Sequence, residues 1–276
     1  MTSPTIRAMT RADLDFAAAC TEAEAWASET KSEIEALFAH SPSACFIAEV
    51  ARRRVGMCIA TAYAGWGFIG ELIVLPEVRQ RGLGARLLAQ ASDYLSQGGA
   101  RAILLDSVPR AMPLYQRAGF KPLCRSLRLR GTPRPRTASD IRCMTEGDLA
   151  TVLQLDSQAF GGDRSHFFRL RMARYGDLCL VQVAAGRVEG YLLGRLGRGV
   201  VTAGPWYARQ PGGASPALLE ALTDRAAGLP LAIGILETNR AAQELAREAG
   251  LHELPGPPTR MLDWSVPISR PRLGHG

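Results

Sequence analysis

Apolar residues recur every second position or in short unbroken runs over much of the first half of the chain. Thr5–Met9 reads as a short strand. Thr10 stands where a helix cap belongs, and a helix is predicted over about Arg11–Ala27. The stretch SPSACFIAEVARRRVGMCIATAYAGWGFIGELIVLP is β-rich. A charged break at Arg52–Arg54 and a glycine break at Gly65–Gly67 divide it into three antiparallel strands. After a glycine-rich turn come a helix (about Leu83–Ser96), a strand (Ala102–Asp106), a helix (about Ala111–Ala118) and a last strand. The second half offers Cys179–Val183, Val188–Leu196, Val200–Pro205, Pro216–Ala227, Leu231–Leu236 and Arg240–Ala249 in the same order. Antiparallel strands followed by strand, helix, strand, helix predict an α+β class, a mixed and mostly antiparallel sheet with helices on both faces.

The two halves share letters as well as pattern. IRAMTRADL at Ile6–Leu14 returns as IRCMTEGDL at Ile141–Leu149, six of nine identical and 135 residues on. YQRAGF, ending at Phe120, faces AREAGL, ending at Leu251, at an offset of 131. Between the copies lies GTPRPRTAS, proline-rich and without apolar period, which reads as a linker. Two tandem domains are therefore predicted, 1–130 and 140–276, joined by 131–139.

Composition narrows the class. The chain is 47% hydrophobic and 21% charged, ordinary for a folded protein, and has no apolar run of membrane-spanning length. Its opening has no apolar core behind a basic start, so a cytoplasmic protein without leader is expected. The net charge of +7 comes almost wholly from arginine, Lys31 and Lys121 being the only lysines. No basic block is interleaved with aromatics, so an anionic cofactor explains the charge better than nucleic acid. Six cysteines and four histidines lack metal or disulfide spacing; buried free thiols and no metal are expected.

The chemistry concentrates in GELIVLPEVRQRGLGARLLAQASDYL. A strand ends at Leu75–Pro76, and Arg79-Gln80-Arg81-Gly82-Leu83-Gly84 opens an amphipathic helix. Glycines at 82 and 84 allow a tight turn and close backbone approach, and the first helical N–H groups can hold a pyrophosphate. Arg79 and Arg81 add positive charge. The same glycines would also serve a plain strand-to-helix turn.

With PLYQRAGFKP downstream, the segment Phe68–Pro122 resembles the GNAT superfamily of acetyl-CoA-dependent N-acyltransferases, and the rest of the first half resembles it loosely. The resemblance implies a strand that splays from its neighbour to receive acetyl-CoA as cosubstrate. Backbone groups of Leu72, Ile73 and Val74 would hold the pantetheine arm, and those from Gln80 through Leu83 and Gly84 to Ala85 the pyrophosphate. Tyr115, in a Tyr-x-x-x-Gly-Phe arrangement with Gly119 and Phe120, would be the general acid for the departing thiolate. For the base, the resemblance offers Asp106 and Glu71, with a water-mediated route as a third option. Family bases on this strand stand at the position of Gly70, and strand alternation would turn Glu71 to the other face. The asparagine many relatives carry seven residues before the tyrosine is Val108.

The second half resembles a divergent GNAT-like domain of bacterial tandem acetyltransferases, through LDSQAFGGDR, GYLLGRLGR and TAGPW. Gln210, Gly213 and Ser215 stand opposite Arg79, Gly82 and Gly84. Ala246 replaces the tyrosine, and Asn239 supplies the asparagine that the first half lacks. Asp156, Phe160, Asp163 and Arg164 are candidates either for a substrate wall or for a helix lock in which Asp163 caps a helix starting near Ser165. Of Trp206 and Tyr207, one is expected in the core.

These residues imply an N-acetyltransferase that works in the N-terminal half by direct attack of a primary amine, since no cysteine falls at the family's reaction centre. The acceptor would be a small-molecule or peptide amine, and the protein a monomer or homodimer. Glu22, Glu24, Glu29, Glu33 and Glu35 would suit a cationic amine or form a solvated face. A non-catalytic acyl-CoA-binding sensor is the alternative, and it has no need of Tyr115.

Overall fold

A computed structural model of the chain describes residues 4–135, 138–209 and 213–264. Its first part runs β1 (Thr5–Ala8), α1 (Leu14–Ala23), α2 (Lys31–His40), β2 (Cys45–Val50), β3 (Arg53–Tyr63), β4 (Trp66–Val74), α3 (Leu83–Gln97), β5 (Ala102–Ser107), α4 (Met112–Arg117) and β6 (Lys121–Gly131). The second part runs β7 (Ile141–Cys143), α5 (Glu146–Phe160), α6 (Ser165–Tyr175), β8 (Cys179–Ala184), β9 (Arg187–Leu196), β10 (Val201–Ala208), α7 (Pro216–Arg225), β11 (Leu231–Leu236), α8 (Arg240–Glu248), β12 (Leu251–Glu253) and β13 (Thr259–Asp263).

Among the described residues, 4–123 and 259–264 form one compact unit and 124–258 the other. The first unit's sheet is ordered β1-β2-β3-β4-β5-β13, antiparallel except for the β4–β5 pair. The second unit's sheet is ordered β7-β8-β9-β10-β11-β6, antiparallel except for β10–β11, with β12 on the outer edge of β6. One mixed α+β architecture is thus used twice.

The units do not simply follow the chain. The sequence places β6 at the end of the first half, yet its residues Ser126–Gly131 pair with β11 in the second unit. β13, far down the second half, pairs along its whole length with β5 in the first. Alternation along a strand says that it is a strand, not which edge it joins. The join at β5 sets Arg260 opposite Asp106, a choice made 154 residues apart. Of the expected linker, Arg136 and Thr137 lie outside the described residues.

The repeated nine-residue motif has a physical explanation. Asp13 Oδ2 accepts from the N–H and hydroxyl of Thr10, both at 2.8 Å, closing a capping box ahead of α1. Asp148 does the same for Thr145 at 2.8 and 2.7 Å ahead of α5. Each aspartate also takes a fork from the motif's arginine: Arg7 at 2.7 and 2.9 Å, Arg142 at 2.7 and 2.8 Å. The motif's methionine N–H bonds the first strand beyond the helices, Met9 to Cys45 O and Met144 to Cys179 O, both at 2.7 Å. Six identical letters therefore encode one junction from strand to helix.

The arginine forks hold both aspartates well below the usual carboxylate range. Depressed folded-state values stabilise the fold fully above the ordinary aspartate pKa of about 3.9, and that stabilisation is lost as pH falls below it. Asp148→Asn is expected to lower stability by about 3 kcal/mol at neutral pH, through ion pair and cap together, and to flatten the acid limb of the stability curve. Denaturant titrations at pH 7 and pH 3 check this, and equal losses at both pH values would refute it.

The first helix is shorter than its apolar pattern predicts. A 3-10 turn at Arg11–Asp13 precedes α1, which stops at Ala23, and Ala25 at φ +57° turns the chain away. Thr21 fastens this exit by donating its hydroxyl to Glu29 O at 2.6 Å. In each unit two apolar clusters flank the sheet. In the first unit, Leu87, Leu88 and Tyr115 (α3 and α4) pack on one face and Leu14, Ala17 and Ile34 (α1 and α2) on the other. In the second, Leu218, Leu222 and Ala246 cover one face and Leu149, Val152 and Phe168 the other. All six cysteines are free thiols, Cys143 alone being partly exposed. No helix among the described residues is long and apolar enough to cross a membrane.

Candidate active site

β4 and β5 run parallel as a pair only from Trp66/Ala102 to Ile69/Leu105. Beyond that point β4 continues to Val74 and β5 to Ser107 without pairing with each other, so the sheet opens between them. The cause is a bulge. Ile59 pairs with Gly70 and Met57 with Ile73, so Cys58 alone faces Glu71 and Leu72. Glu71 sits at φ +47°, a left-handed conformation that costs a non-glycine residue about 1–2 kcal/mol.

The bulge inverts the alternation of the strand. Ile69 packs with α3, whereas Ile73, four residues on, packs with α1 and α2. Four residues along a regular strand would return to the same face. Alternation counted along the strand therefore does not carry past Gly70, and it assigns no face to Glu71.

Past β4 a 3-10 turn (Pro76–Val78) leads into the arginine-glycine segment. Gln80 at φ +63° and Gly82 at φ +77° bend it, and Gly82 is the N-cap of α3. No side chain caps this end, and the first N–H with an intrahelical acceptor is that of Arg86, to Gly82 O at 3.1 Å. The N–H groups of Leu83, Gly84 and Ala85 precede that bond, at the positive end of the helix dipole. The buried stripe Leu83, Leu87, Leu88, Ala91 and Leu95 anchors α3 behind them.

The two glycines have different reasons. A Cβ on Gly82 would meet nothing within 4 Å, so its positive φ is what selects glycine. A Cβ on Gly84 would stand 3.3 Å from Leu114 of α4, so there glycine lets the helix start approach the neighbouring helix. The two arginines diverge as well. Arg81 is exposed beside the turn. Arg79 instead donates Nε to Val74 O at 2.8 Å and Nη2 to Glu24 at 2.6 Å, tying the turn to the end of β4 and to α1.

Tyr115 is carried on α4, which ends where Gly119 takes φ +98° and the Phe120 N–H returns to Tyr115 O at 3.0 Å. The Phe120 ring meets the tyrosine edge-on at 6.2 Å. The spacing Tyr-x-x-x-Gly-Phe is thus a helix stop that fixes the ring. Tyr115 is 6% exposed, and burial, with a smaller contribution from Cys58, pushes its phenol above the ordinary range.

Cys58 is the residue the sequence reading missed. It lies opposite the bulge with its thiol toward Gly70 O at 3.8 Å. Burial first, then the charge of Glu71, pushes that thiol well up, and the same two causes push the Cys45 thiol up to about 12. Tyr115, Cys58 and Glu71 therefore share one neighbourhood at the opening of the sheet. Only the bulge register brings Cys58 there, and no local pattern announces it.

Asp106 is on β5 at the same opening, but its two oxygens accept from Arg260 Nε at 2.5 Å and Nη2 at 3.3 Å. The Arg260 guanidinium lies 5.2 Å over the Phe68 ring. Val108 caps the 3-10 turn before α4 through its backbone. Of the five glutamates in the first helical region, Glu22 is exposed, but Glu24 is engaged by Arg79 and Arg110 and is no part of a solvated face.

The second unit keeps the opening but not the residues. β10 and β11 pair in parallel only at Val201–Ala203 and Leu231–Ile233. Trp206 is buried with Ala214 and Leu218, its indole N–H donating to Ser215 O at 3.0 Å. α7 starts with Pro216 after Ser215, and Ala246 is fully buried in the core. Asn239 is a helix cap, accepting from the Ala242 N–H at 3.1 Å. Asp163 accepts from the Ser165 N–H at 2.8 Å, and Arg164 pairs with Asp156. Gln210 lies outside the described residues.

A sheet that opens after one short parallel pair, an uncapped helix start facing the opening and a protonated tyrosine beside it define an N-acyltransferase type of α+β domain. The chain belongs to the GNAT acetyltransferase family: residues 11–120 match the Acetyltransferase (GNAT) family and residues 152–272 the Acetyltransferase (GNAT) domain, two domains in tandem. Members generally use acetyl-CoA as cosubstrate and act on small-molecule or peptide amines. The chain is 26% identical over 217 residues to the uncharacterized N-acetyltransferase YitH of Bacillus subtilis (strain 168), covering 74% of this chain and 73% of that protein. YhfO of the same organism, also an uncharacterized N-acetyltransferase, is 36% identical over 56 residues, 19% of this chain and 38% of that protein. A putative acetyltransferase from Pyrococcus horikoshii superposes with a TM-score of 0.80 at 23% identity, covering 100% of this chain and 94% of that one. A tandem GNAT protein from the clavulanic acid biosynthesis pathway gives a TM-score of 0.64 at 12% identity, covering 97% and 100%. At these identities the structures speak to fold.

Proposed function

We propose that the first unit transfers an acetyl group from acetyl-CoA to a primary amine by direct attack, and that the second unit does not catalyse. The observation that carries this reading is the opening between β4 and β5, which has the uncapped start of α3 and the protonated Tyr115 beside it. Acetyl-CoA, when bound, supplies a thioester carbonyl open to attack by an amine. The N–H groups of Leu83, Gly84 and Ala85 suit the anionic pyrophosphate, with Arg81 adding charge. The edge of β4 at Leu72, Ile73 and Val74 that no longer pairs with β5 suits the pantetheine amides, although Val74 O already accepts from Arg79.

Glu71 takes the amine proton in this reading. Its charge already acts on the Cys58 thiol at the opening and on the Cys45 thiol, whereas both oxygens of Asp106 are committed to Arg260. Tyr115 Oη gives its proton to the leaving sulfur. Cys58 and Cys45 are held as neutral thiols, which are poor nucleophiles, and this favours direct attack over a cysteine-bound acyl group. In the second unit Ala246 leaves no acid.

Calorimetric titration with acetyl-CoA tests the reading. One site per chain is expected, and it should be lost in Gly82→Trp, whose side chain would enter the open space beside the turn. Two sites would overturn the assignment to a single unit, and no binding would overturn the enzyme reading.

A further inference from the structure

Glu24 lies at the end of α1 with its side chain 13% exposed, and it accepts from two guanidiniums that belong to different parts of the opening. Arg79, 55 residues on, gives Nη2 to one carboxylate oxygen at 2.6 Å while its Nε stays on Val74 O. Arg110, 86 residues on, gives Nη2 to the other oxygen. Arg79 opens the turn into α3, and Arg110 sits in the 3-10 turn (Pro109–Ala111) that runs into the Tyr115 helix. One carboxylate therefore joins α1, the turn beneath the uncapped helix start, and the approach to α4.

The position of this carboxylate is not left to a flexible loop. α1 stops at Ala23, and the turn at Ala25 fixes the backbone just beyond Glu24. Two cations on one anion leave a net positive charge beside the helix start. Without the anion the two guanidiniums would repel each other, and Arg79 would keep only its bond to Val74.

We infer that Glu24 is a positioning residue for the acetyl-CoA slot of the first unit: by bridging Arg79 and Arg110 it fixes the phosphate-facing turn against the approach to α4. The inference rests on the proposed function. It concerns binding more than the chemical step, because Tyr115 is held separately by Gly119 and the Phe120 contact.

The test is calorimetric binding of acetyl-CoA to the full chain. Glu24→Gln is expected to raise Kd about tenfold, the loss of roughly one charge-assisted hydrogen bond. Glu24→Asp, which keeps the charge, is expected to recover much of that affinity. Glu22→Gln on the exposed side of the same helix is expected to leave Kd unchanged. An unaltered Kd in Glu24→Gln overturns the inference and leaves the proposed function standing. Failure of the unaltered protein to bind acetyl-CoA overturns both. Should Glu24→Gln not fold, Arg110→Gln on the exposed arm replaces it: a raised Kd is expected there, and an unchanged one overturns the inference.

Discussion

Replacing Tyr115 by Phe is expected to lower the rate of acetyl transfer by about 100-fold or more, with acetyl-CoA affinity and thermal stability nearly unchanged. The ring is 6% exposed and sits edge-on to Phe120, and phenylalanine keeps both the volume and that contact. What disappears is the hydroxyl proton. Burial raises the phenol above its ordinary range, so the acid form persists across neutral pH, and activity owed to it should fall only above about pH 10. Glu71→Gln is expected to lower the rate by a similar factor, because the amide cannot take a proton. Steady-state rates for both variants, read beside their acetyl-CoA affinities, decide the matter. Unchanged turnover in Tyr115→Phe would remove the tyrosine from the chemistry and favour an acyl-CoA sensor.

The largest stability loss is expected in the second unit, from Arg164→Met. Asp156 is 1% exposed and accepts from Arg164 at 3.0 and 2.5 Å and from the Tyr191 hydroxyl at 2.7 Å. The guanidinium itself lies 3.8 Å over the Phe160 ring. Removing it leaves a buried carboxylate with its counter-charge gone, which costs about 3–5 kcal/mol. The melting temperature should fall by roughly 10 °C for a unit of this size. Adding Asp156→Asn to Arg164→Met should recover part of the loss, since a neutral amide still accepts from Tyr191 and is far cheaper to bury. A single variant within 1 kcal/mol of the parent by denaturant titration would contradict this account.

The Asp156–Arg164 lock has a counterpart in the first unit. There Thr21 reaches Glu29 O across the same eight-residue spacing, at the position 135 residues earlier. The helix-to-helix corner is secured in both units, by a hydroxyl in one and by an ion pair in the other. Asp156 and Arg164 thus hold a helix corner, the second of the two roles their sequence allowed.

What the sequence determined by itself is whatever a few neighbouring residues settle among themselves. The nine-residue repeat is legible because each copy is a complete capping box and arginine fork within one turn of chain. Gly82 and the Tyr-x-x-x-Gly-Phe spacing are legible because a left-handed φ and a helix stop are local demands. From these the two α+β domains, the family resemblance and the glycine turn into α3 all followed. Tertiary structure alone decided the rest. One extra residue at Glu71 inverts the face of everything after it in β4, and that depends on register with β3 rather than on alternation. The partners of Asp106 and Glu24 lie 154, 55 and 86 residues away, and the edges taken by β6 and β13 are equally non-local. Such contacts form only once the chain has closed long loops, so their energies leave no trace in the spacing of nearby residues.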